Sequence, residues 1–79
     1  MSTTDLTSLE PGQTATIVKL RAEVGLHQRL HALGFRPGQQ VLMLRRAWLN
    51  GPLHVRLGTT EVMLRCQEAK GVYTTKAEQ

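Results

Sequence analysis

Two histidines, His27 and His31, have the type and spacing to bind a metal ion. They stand four residues apart in a segment predicted to be helical, so both imidazole rings would lie on one side of the helix and could reach one ion. A structural zinc site takes four ligands, and Glu23, His54 or a neighbouring molecule could add a third. We therefore expect no required cofactor. The pair is a candidate for weak binding of a divalent transition metal such as zinc or iron.

Catalytic chemistry has little support in the sequence. Cys66 is the only cysteine, so the chain can form neither an internal disulfide nor a cysteine cluster, and no local motif marks Cys66 as a nucleophile. The glycines at positions 12, 25, 34 and 38 stand alone and do not make a phosphate-binding loop. A chain of 79 residues is also too small to enclose a deep pocket. We expect that the protein is not an enzyme.

The histidines belong to a short amphipathic helix. Its apolar face is a stripe about 60° wide at the helical period, formed by Leu26, Leu30 and Leu33. Gly34 stands where a left-handed residue ends a helix, and Phe35 stands where that motif places its apolar contact. Pro37-Gly38 then favours a turn into the next strand.

The rest of the chain alternates short strands with turns. Five strands are predicted, with these bounds: Gln13–Leu20, Gln40 to about Trp48, Leu53–Leu57, Glu61–Arg65 and Val72–Thr75. The first strand has apolar residues on both faces, which indicates burial on two sides or a bulge. Asp5 is the expected cap of a short helical turn, Asn50-Gly51 the expected type I′ hairpin turn, and Cys66–Lys70 a second helical turn.

The predicted fold class is mainly β, a small five-stranded barrel with one inserted α-helix and short helical turns. We expect a single domain over residues 1–79, ordered from about residue 6 to residue 75, with flexible termini. The sequence contains neither a membrane-spanning apolar run nor the pattern of a signal peptide, so a cytoplasmic protein without membrane insertion is predicted.

The net charge of +4 raises the question of nucleic-acid binding. The basic residues are spread along the chain, and only Arg45 and Arg46 are adjacent. Small β-barrels that bind single strands stack bases on aromatic side chains. The aromatic residues here are only Phe35, Trp48 and Tyr73, and the helix cap is expected to use Phe35. A nucleic-acid-binding barrel is therefore the less favoured alternative, and no nucleic-acid partner is expected.

The hairpin between the second and third strands carries the candidate partner-binding residues. Trp48 and Leu49 should lie near its tip, where a small core cannot bury both. An exposed Trp beside Arg45 or Arg46 is typical of an interface anchor, whereas the alternative is that Trp48 folds back over the end of the barrel as a lid. Met63, which points outward from the fourth strand, completes the predicted surface.

Several stretches of the chain carry a resemblance to a known family. In chain order they are Leu9-x-x-Gly12 with Ala15-x-Ile17, Arg29-Leu30-x-x-Leu33-Gly34-Phe35-x-Pro37-Gly38-x-x-Val41, Arg45-Arg46-Ala47 with Gly51-Pro52, and Leu64-Arg65 followed by Glu68-Ala69. From about Leu6 to Thr75 the chain resembles the FeoA family, small cytoplasmic proteins of bacterial ferrous iron uptake. The second stretch is the most specific, because ordered spacings of Gly, Pro and Leu rarely recur by chance.

The resemblance implies an SH3-like barrel that acts with the membrane permease FeoB, whose cytoplasmic part carries a G-protein domain. The hairpin residues and Met63 would then contact the cytoplasmic portion of a FeoB-like permease or a second copy of the chain. The family usually has an apolar or proline pair after the position of Ala47, and here the pair is Trp48-Leu49. A metal-binding iron sensor or chaperone that uses the histidine pair is a further alternative.

Overall fold

A computed structural model describes residues 3–76, and its strands form one antiparallel sheet. The strands are β1 (Thr4–Asp5), β2 (Thr14–Leu20), β3 (Gln40–Arg46), β4 (Leu53–Leu57), β5 (Thr60–Leu64) and β6 (Val72–Lys76). A 3₁₀ turn covers Leu6–Ser8, and the helices are α1 (Val24–Leu33) and α2 (Cys66–Ala69). The sheet order is β1-β6-β2-β3-β4-β5. The structure is mainly β, as predicted, with one strand more than the five expected from the sequence.

The additional strand is β1, in a segment that the sequence predicts to be frayed. Thr4 pairs with Thr74 and Asp5 pairs with Tyr73. The buried Thr74 hydroxyl donates a 3.2 Å hydrogen bond to the Thr4 carbonyl oxygen, so this polar group inside the core is satisfied. The Asp5 carboxylate accepts a 2.8 Å hydrogen bond from the backbone N–H of Thr7, which confirms the predicted cap. The expected flexibility at residues 1, 2 and 77–79 lies outside the described residues.

Helix α1 begins and ends with the caps that its sequence favours. The Glu23 carboxylate accepts a 2.9 Å hydrogen bond from the Leu26 N–H at the start of the helix. At its end Gly34 has φ 107°. Two backbone hydrogen bonds of 3.0 Å close this end, from the Phe35 N–H to the Leu30 carbonyl and from the Gly34 N–H to the His31 carbonyl. This is the Schellman arrangement. Leu30 and Phe35 are both fully buried, so the predicted apolar contact of the cap is part of the core.

Helices α1 and α2 are joined through one carboxylate. Glu68 forms an ion pair with Arg29 of α1 through one oxygen. Its other oxygen accepts a 2.9 Å hydrogen bond from the backbone N–H of Arg65, just before α2. Glu68 therefore caps its own short helix and holds α1 against it.

The inward faces of the strands fill one core together with the 3₁₀ turn, α1 and α2. Its buried apolar residues are Leu6, Leu9, Ala15, Ile17, Leu30, Phe35, Val41, Met43, Leu53, Val55, Leu57, Val62, Leu64, Ala69 and Val72. The pairing of β2 with β6 shifts between Ile17 and Lys19, and Val18 is left exposed. A bulge, one of the two alternatives for the first strand, is therefore what the structure contains.

Candidate functional site

The connection between β3 and β4 projects two apolar side chains into solvent. Trp48 is 90% exposed and Leu49 is 92% exposed. The base of the connection is closed by a 3.1 Å hydrogen bond from the Ala47 N–H to the Pro52 carbonyl. Trp48 does not fold back over the core, so the lid alternative is wrong for this structure.

The turn at the tip lies one residue earlier than predicted. Leu49 has φ 57° and Asn50 has φ 60°, and the Gly51 N–H donates a 3.1 Å hydrogen bond to the Trp48 carbonyl. Gly51 itself is outside the left-handed region, so the prediction of a turn centred on Asn50-Gly51 is wrong. Glycine is needed for a different reason: a Cβ at position 51 would lie 2.6 Å from the Cβ of Ala47. The close approach of the two loop ends leaves no room for a side chain.

The two adjacent arginines serve different faces of the sheet. The register of β3 against β4 shifts between Met43 and Arg45, so Arg45 pairs with His54 and Arg46 pairs with the buried Leu53. Arg46 is therefore on the inward row at the end of the sheet. Its guanidinium donates a 3.0 Å hydrogen bond to the carbonyl of Leu9 and pairs with the carboxylate of Glu10 at 3.3 Å.

Arg45 belongs to an outward row that crosses three strands. It pairs with His54 of β4, which pairs in turn with Met63 of β5. Met63 is 59% exposed, and the imidazole Nε2 of His54 lies 2.9 Å from a carboxylate oxygen of Glu61. The bulge in β3 creates this row, because without it Arg46 would face outward in place of Arg45. No pattern in the sequence predicted that bulge.

We define the docking surface as Arg45, Trp48, Leu49 and Met63. Arg46 is left out of this definition because its guanidinium is already bonded to the Leu9 carbonyl and paired with Glu10. The tip and the row share one end of the sheet, since Leu53 at the start of β4 pairs with Leu64 at the end of β5. Within residues 3–76, no ion pair involves three of the exposed arginines, Arg45, Arg56 and Arg65. The surface is therefore apolar at the tip, with Arg45 beside it as a charge that has no ion-pair partner in this part of the chain.

The histidine pair lies on the exposed side of α1. It belongs to a different part of the chain from the docking surface. His27 and His31 are both exposed. Within residues 3–76 no group of three His, Cys, Asp or Glu side chains is placed to hold a metal ion together. Two of the expected third ligands have other partners: Glu23 caps α1 and His54 contacts Glu61. The pair on its own offers two ligands to an ion.

A shallow cavity of about 190 Å³ lies elsewhere on the sheet. It is lined by Thr14, Gln40, Val41, Leu42, Arg56 and Gly58. Pockets that bury small molecules usually measure about 300 to 1,000 Å³. The only ionisable lining residue is Arg56, and a guanidinium does not exchange protons in proteins. The lining therefore offers the Thr14 hydroxyl but no side chain that could act as a general base beside it.

Over residues 3–76 the helices are all too short to cross a membrane.

Comparison with known proteins identifies close relatives. Residues 4–76 match the family model of the FeoA domain. A protein from Campylobacter jejuni named Fe(2+) transport protein A is 36% identical over 67 residues, which cover 85% of this chain and 90% of that protein.

Solved structures agree with the fold. FeoA from Stenotrophomonas maltophilia, solved in complex with zinc and described as a procaryotic SH3 domain protein, is 31% identical with a TM-score of 0.79. The match covers 90% of this chain and 88% of that chain. The crystal structure of an iron uptake regulatory protein, also a FeoA, has a TM-score of 0.88 at 21% identity and covers 96% of this chain and all of that one, which supports the fold alone. The predicted SH3-like fold class is confirmed.

Proposed function

This chain belongs to the FeoA family of ferrous iron transport accessory proteins, and we propose that it is a cytoplasmic interaction module that docks on a FeoB-like permease. The region of the permease that it contacts is the cytoplasmic part with the G-protein domain. The docking surface makes this contact, with Trp48 as its anchor.

The exposure of Trp48 is the observation that carries the proposal. A Trp that is 90% exposed places a large apolar area in water, and Leu49 beside it adds to that area. Burial of such a side chain against a partner is favourable, and the rigid indole loses little conformational entropy. The hairpin below the tip is closed by backbone hydrogen bonds, so the anchor is held in place before binding.

The charge around the tip indicates the character of the partner site. Arg45 lies on the outward row beside Met63, and no carboxylate in the described part of the chain neutralises it. An apolar pocket bordered by carboxylates would complement this arrangement. The expected site on the permease is therefore a hydrophobic depression with an acidic rim.

The alternative of a nucleic-acid-binding barrel is less compatible with the structure. Phe35 is buried in the core. Tyr73 is half-buried, with the Lys19 Nζ 5.9 Å from the centre of its ring. Among the aromatic side chains only Trp48 is free to stack on a base. A single platform does not form the succession of stacked bases that single-strand binding uses.

Binding to the purified cytoplasmic region of the cognate permease tests the proposal. That region is immobilised on a sensor surface, and the wild-type chain is passed over it at several salt concentrations. We expect saturable binding that weakens moderately with salt, because apolar contact supplies most of the affinity. A mixed-sequence oligonucleotide is the control ligand. Absence of permease binding, together with oligonucleotide binding that falls steeply with salt, would replace the proposal with the nucleic-acid alternative.

A further inference from the structure

Strand β5 is an edge of the sheet. Within residues 3–76 it pairs with β4 and with no other strand. An edge strand presents backbone N–H and C=O groups that can form hydrogen bonds with another strand. The residues of β5 whose backbone groups are free can be identified from the alternation of hydrogen-bonded and non-hydrogen-bonded pairs in the neighbouring strands.

The alternation can be counted from Met43 of β3, whose backbone hydrogen bonds are known. Its N–H donates to the Gln13 carbonyl at 3.0 Å and its carbonyl accepts from the Gly12 N–H at 2.8 Å, so both groups face β2 and not β4. In an antiparallel sheet the pairs alternate, so Val55, the partner of Met43, directs its own groups towards β5. Val62, the partner of Val55, directs its groups back towards β4.

Glu61 and Met63 flank Val62 and therefore direct their backbone groups away from the sheet. The turn that precedes β5 agrees with this alternation. The turn has two residues between the paired Leu57 and Thr60, and Gly58, the first of them, has φ 61°. Hairpins with such a two-residue turn are closed by a hydrogen-bonded pair, so Leu57 and Thr60 form one, as do Val55 and Val62 two residues further along. The free backbone groups of the edge thus belong to Glu61 and Met63, with Val62 between them.

This spacing is self-complementary. A two-fold axis beside Val62 brings a second β5 alongside in antiparallel orientation, with Glu61 of each copy opposite Met63 of the other. Each of these pairs can exchange both backbone hydrogen bonds, because all the groups involved point outward. Each carboxylate stands directly opposite a long apolar side chain, and the two Glu61 residues are diagonal neighbours across the axis.

The same register also brings opposite charges together. Arg65 follows the end of β5 with extended backbone and is exposed, two residues after Met63. If the second copy continues this extended line, Arg65 of one copy is the diagonal neighbour of Glu61 of the other. Diagonal neighbours across two strands lie about 7 to 8 Å apart at their Cα atoms, within reach of a long side chain. Arg65 forms no ion pair within the described residues, and the only close charged partner of the Glu61 carboxylate there is His54. The axis generates this opposite-charge pair twice and the Glu61–Glu61 diagonal once, so the favourable pairs outnumber the unfavourable one.

We propose that two copies of the chain associate through their β5 edges, Glu61 to Met63, and form one continuous sheet across a two-fold axis. The contact is short, so the dimer is weak and reversible and forms at high protein concentration. The dimer contact uses backbone groups that the hairpin tip does not touch, so it does not depend on Trp48, although it shares Met63 with the docking surface.

Sedimentation velocity over protein concentrations up to about 1 mM tests the association directly. We expect a monomer–dimer equilibrium for the wild-type chain. Met63→Pro removes an outward N–H that the fold does not use, and should weaken the dimer at least about tenfold with a near-native circular dichroism spectrum. Met63→Leu keeps that N–H and is the matched control, for which we expect dimerisation close to wild type.

A charge exchange tests the register without proline. Glu61→Arg alone and Arg65→Glu alone should each weaken the dimer, and the two changes together should restore it, because the diagonal pair is re-formed with reversed signs. His54→Gln removes the contact of Glu61 within one chain and should leave the dimer intact. A wild-type chain that stays monomeric at about 1 mM would overturn the proposal. So would a dimer that withstands Met63→Pro, or one that the paired charge exchange fails to restore.

Discussion

Arg46 donates a 3.0 Å hydrogen bond from its guanidinium to the carbonyl oxygen of Leu9, and so ties the end of β3 to the segment that follows the 3₁₀ turn. The Glu10 carboxylate lies 3.3 Å from the same nitrogen. Arg45, one residue earlier, is on the opposite face of the sheet in the row that contains Met63. Adjacent residues of the same type thus have different surroundings, one bonded within the fold and one at the proposed docking surface.

Substitution of the two arginines should have different effects on the free energy of unfolding. Arg46→Ala removes the partner of a carbonyl at the edge of the core, and we expect a loss of about 1 to 2 kcal/mol in the free energy of unfolding. Arg45→Ala removes an exposed side chain and should change that free energy by less than about 0.5 kcal/mol. Chemical denaturation measures both. Equal stabilities for the two variants would contradict the separation of roles.

The end of α1 gives a second prediction about stability. Gly34 has φ 107°, and a Cβ added there would also lie 3.4 Å from Cδ1 of Leu57. Gly34→Val should therefore destabilise the fold by about 1 kcal/mol or more, because a branched side chain strongly disfavours this backbone conformation. Ala32→Val adds the same side chain to an exposed helical position and is the control for helix propensity. The capping account fails if the melting temperature of Gly34→Val matches that of Ala32→Val.

Local signals in the sequence were enough to predict most of the elements. The stripe of α1, the left-handed Gly34 and the strands around Val41 and Val55 follow from periodicity and from the turn chemistry of Gly and Pro. The family resemblance supplied the SH3-like class and the iron-transport role. These features depend on residues close together in the chain, or on a motif with fixed spacing.

The features that the sequence did not predict depend on distant residues. Thr4 and Asp5 form a strand only because β6, near the other end of the chain, offers them a partner. The separation of Arg45 from Arg46 depends on a bulge set by the register against β4. At the tip, Asn50-Gly51 was expected to supply both left-handed residues, but Leu49 and Asn50 supply them, and Gly51 stands where the approach of Ala47 leaves no room for a side chain. That approach joins the two ends of the loop and cannot be read from the dipeptide alone.

The histidine pair on α1 gives a prediction about metal binding. With two ligands and no third within residues 3–76, His27 and His31 should bind Zn²⁺ weakly. Lowering the pH should weaken the binding further, because protons compete with the metal for the imidazole nitrogens. Titration calorimetry on the wild type, His31→Ala and the control His54→Ala measures the effect. Equal heats for wild type and His31→Ala would mean that the pair does not bind the ion.

The affinity of the Trp48→Ala variant for the cytoplasmic region of the permease tests the central claim most directly. Val24 is an exposed apolar residue at the start of α1, 73% exposed, so Val24→Ala is the matched control for loss of exposed apolar surface. We predict that Trp48→Ala weakens binding by about 1 to 3 kcal/mol while its circular dichroism spectrum stays near native, and that Val24→Ala binds like the wild type. Wild-type affinity in a well-folded Trp48→Ala protein would contradict the docking account.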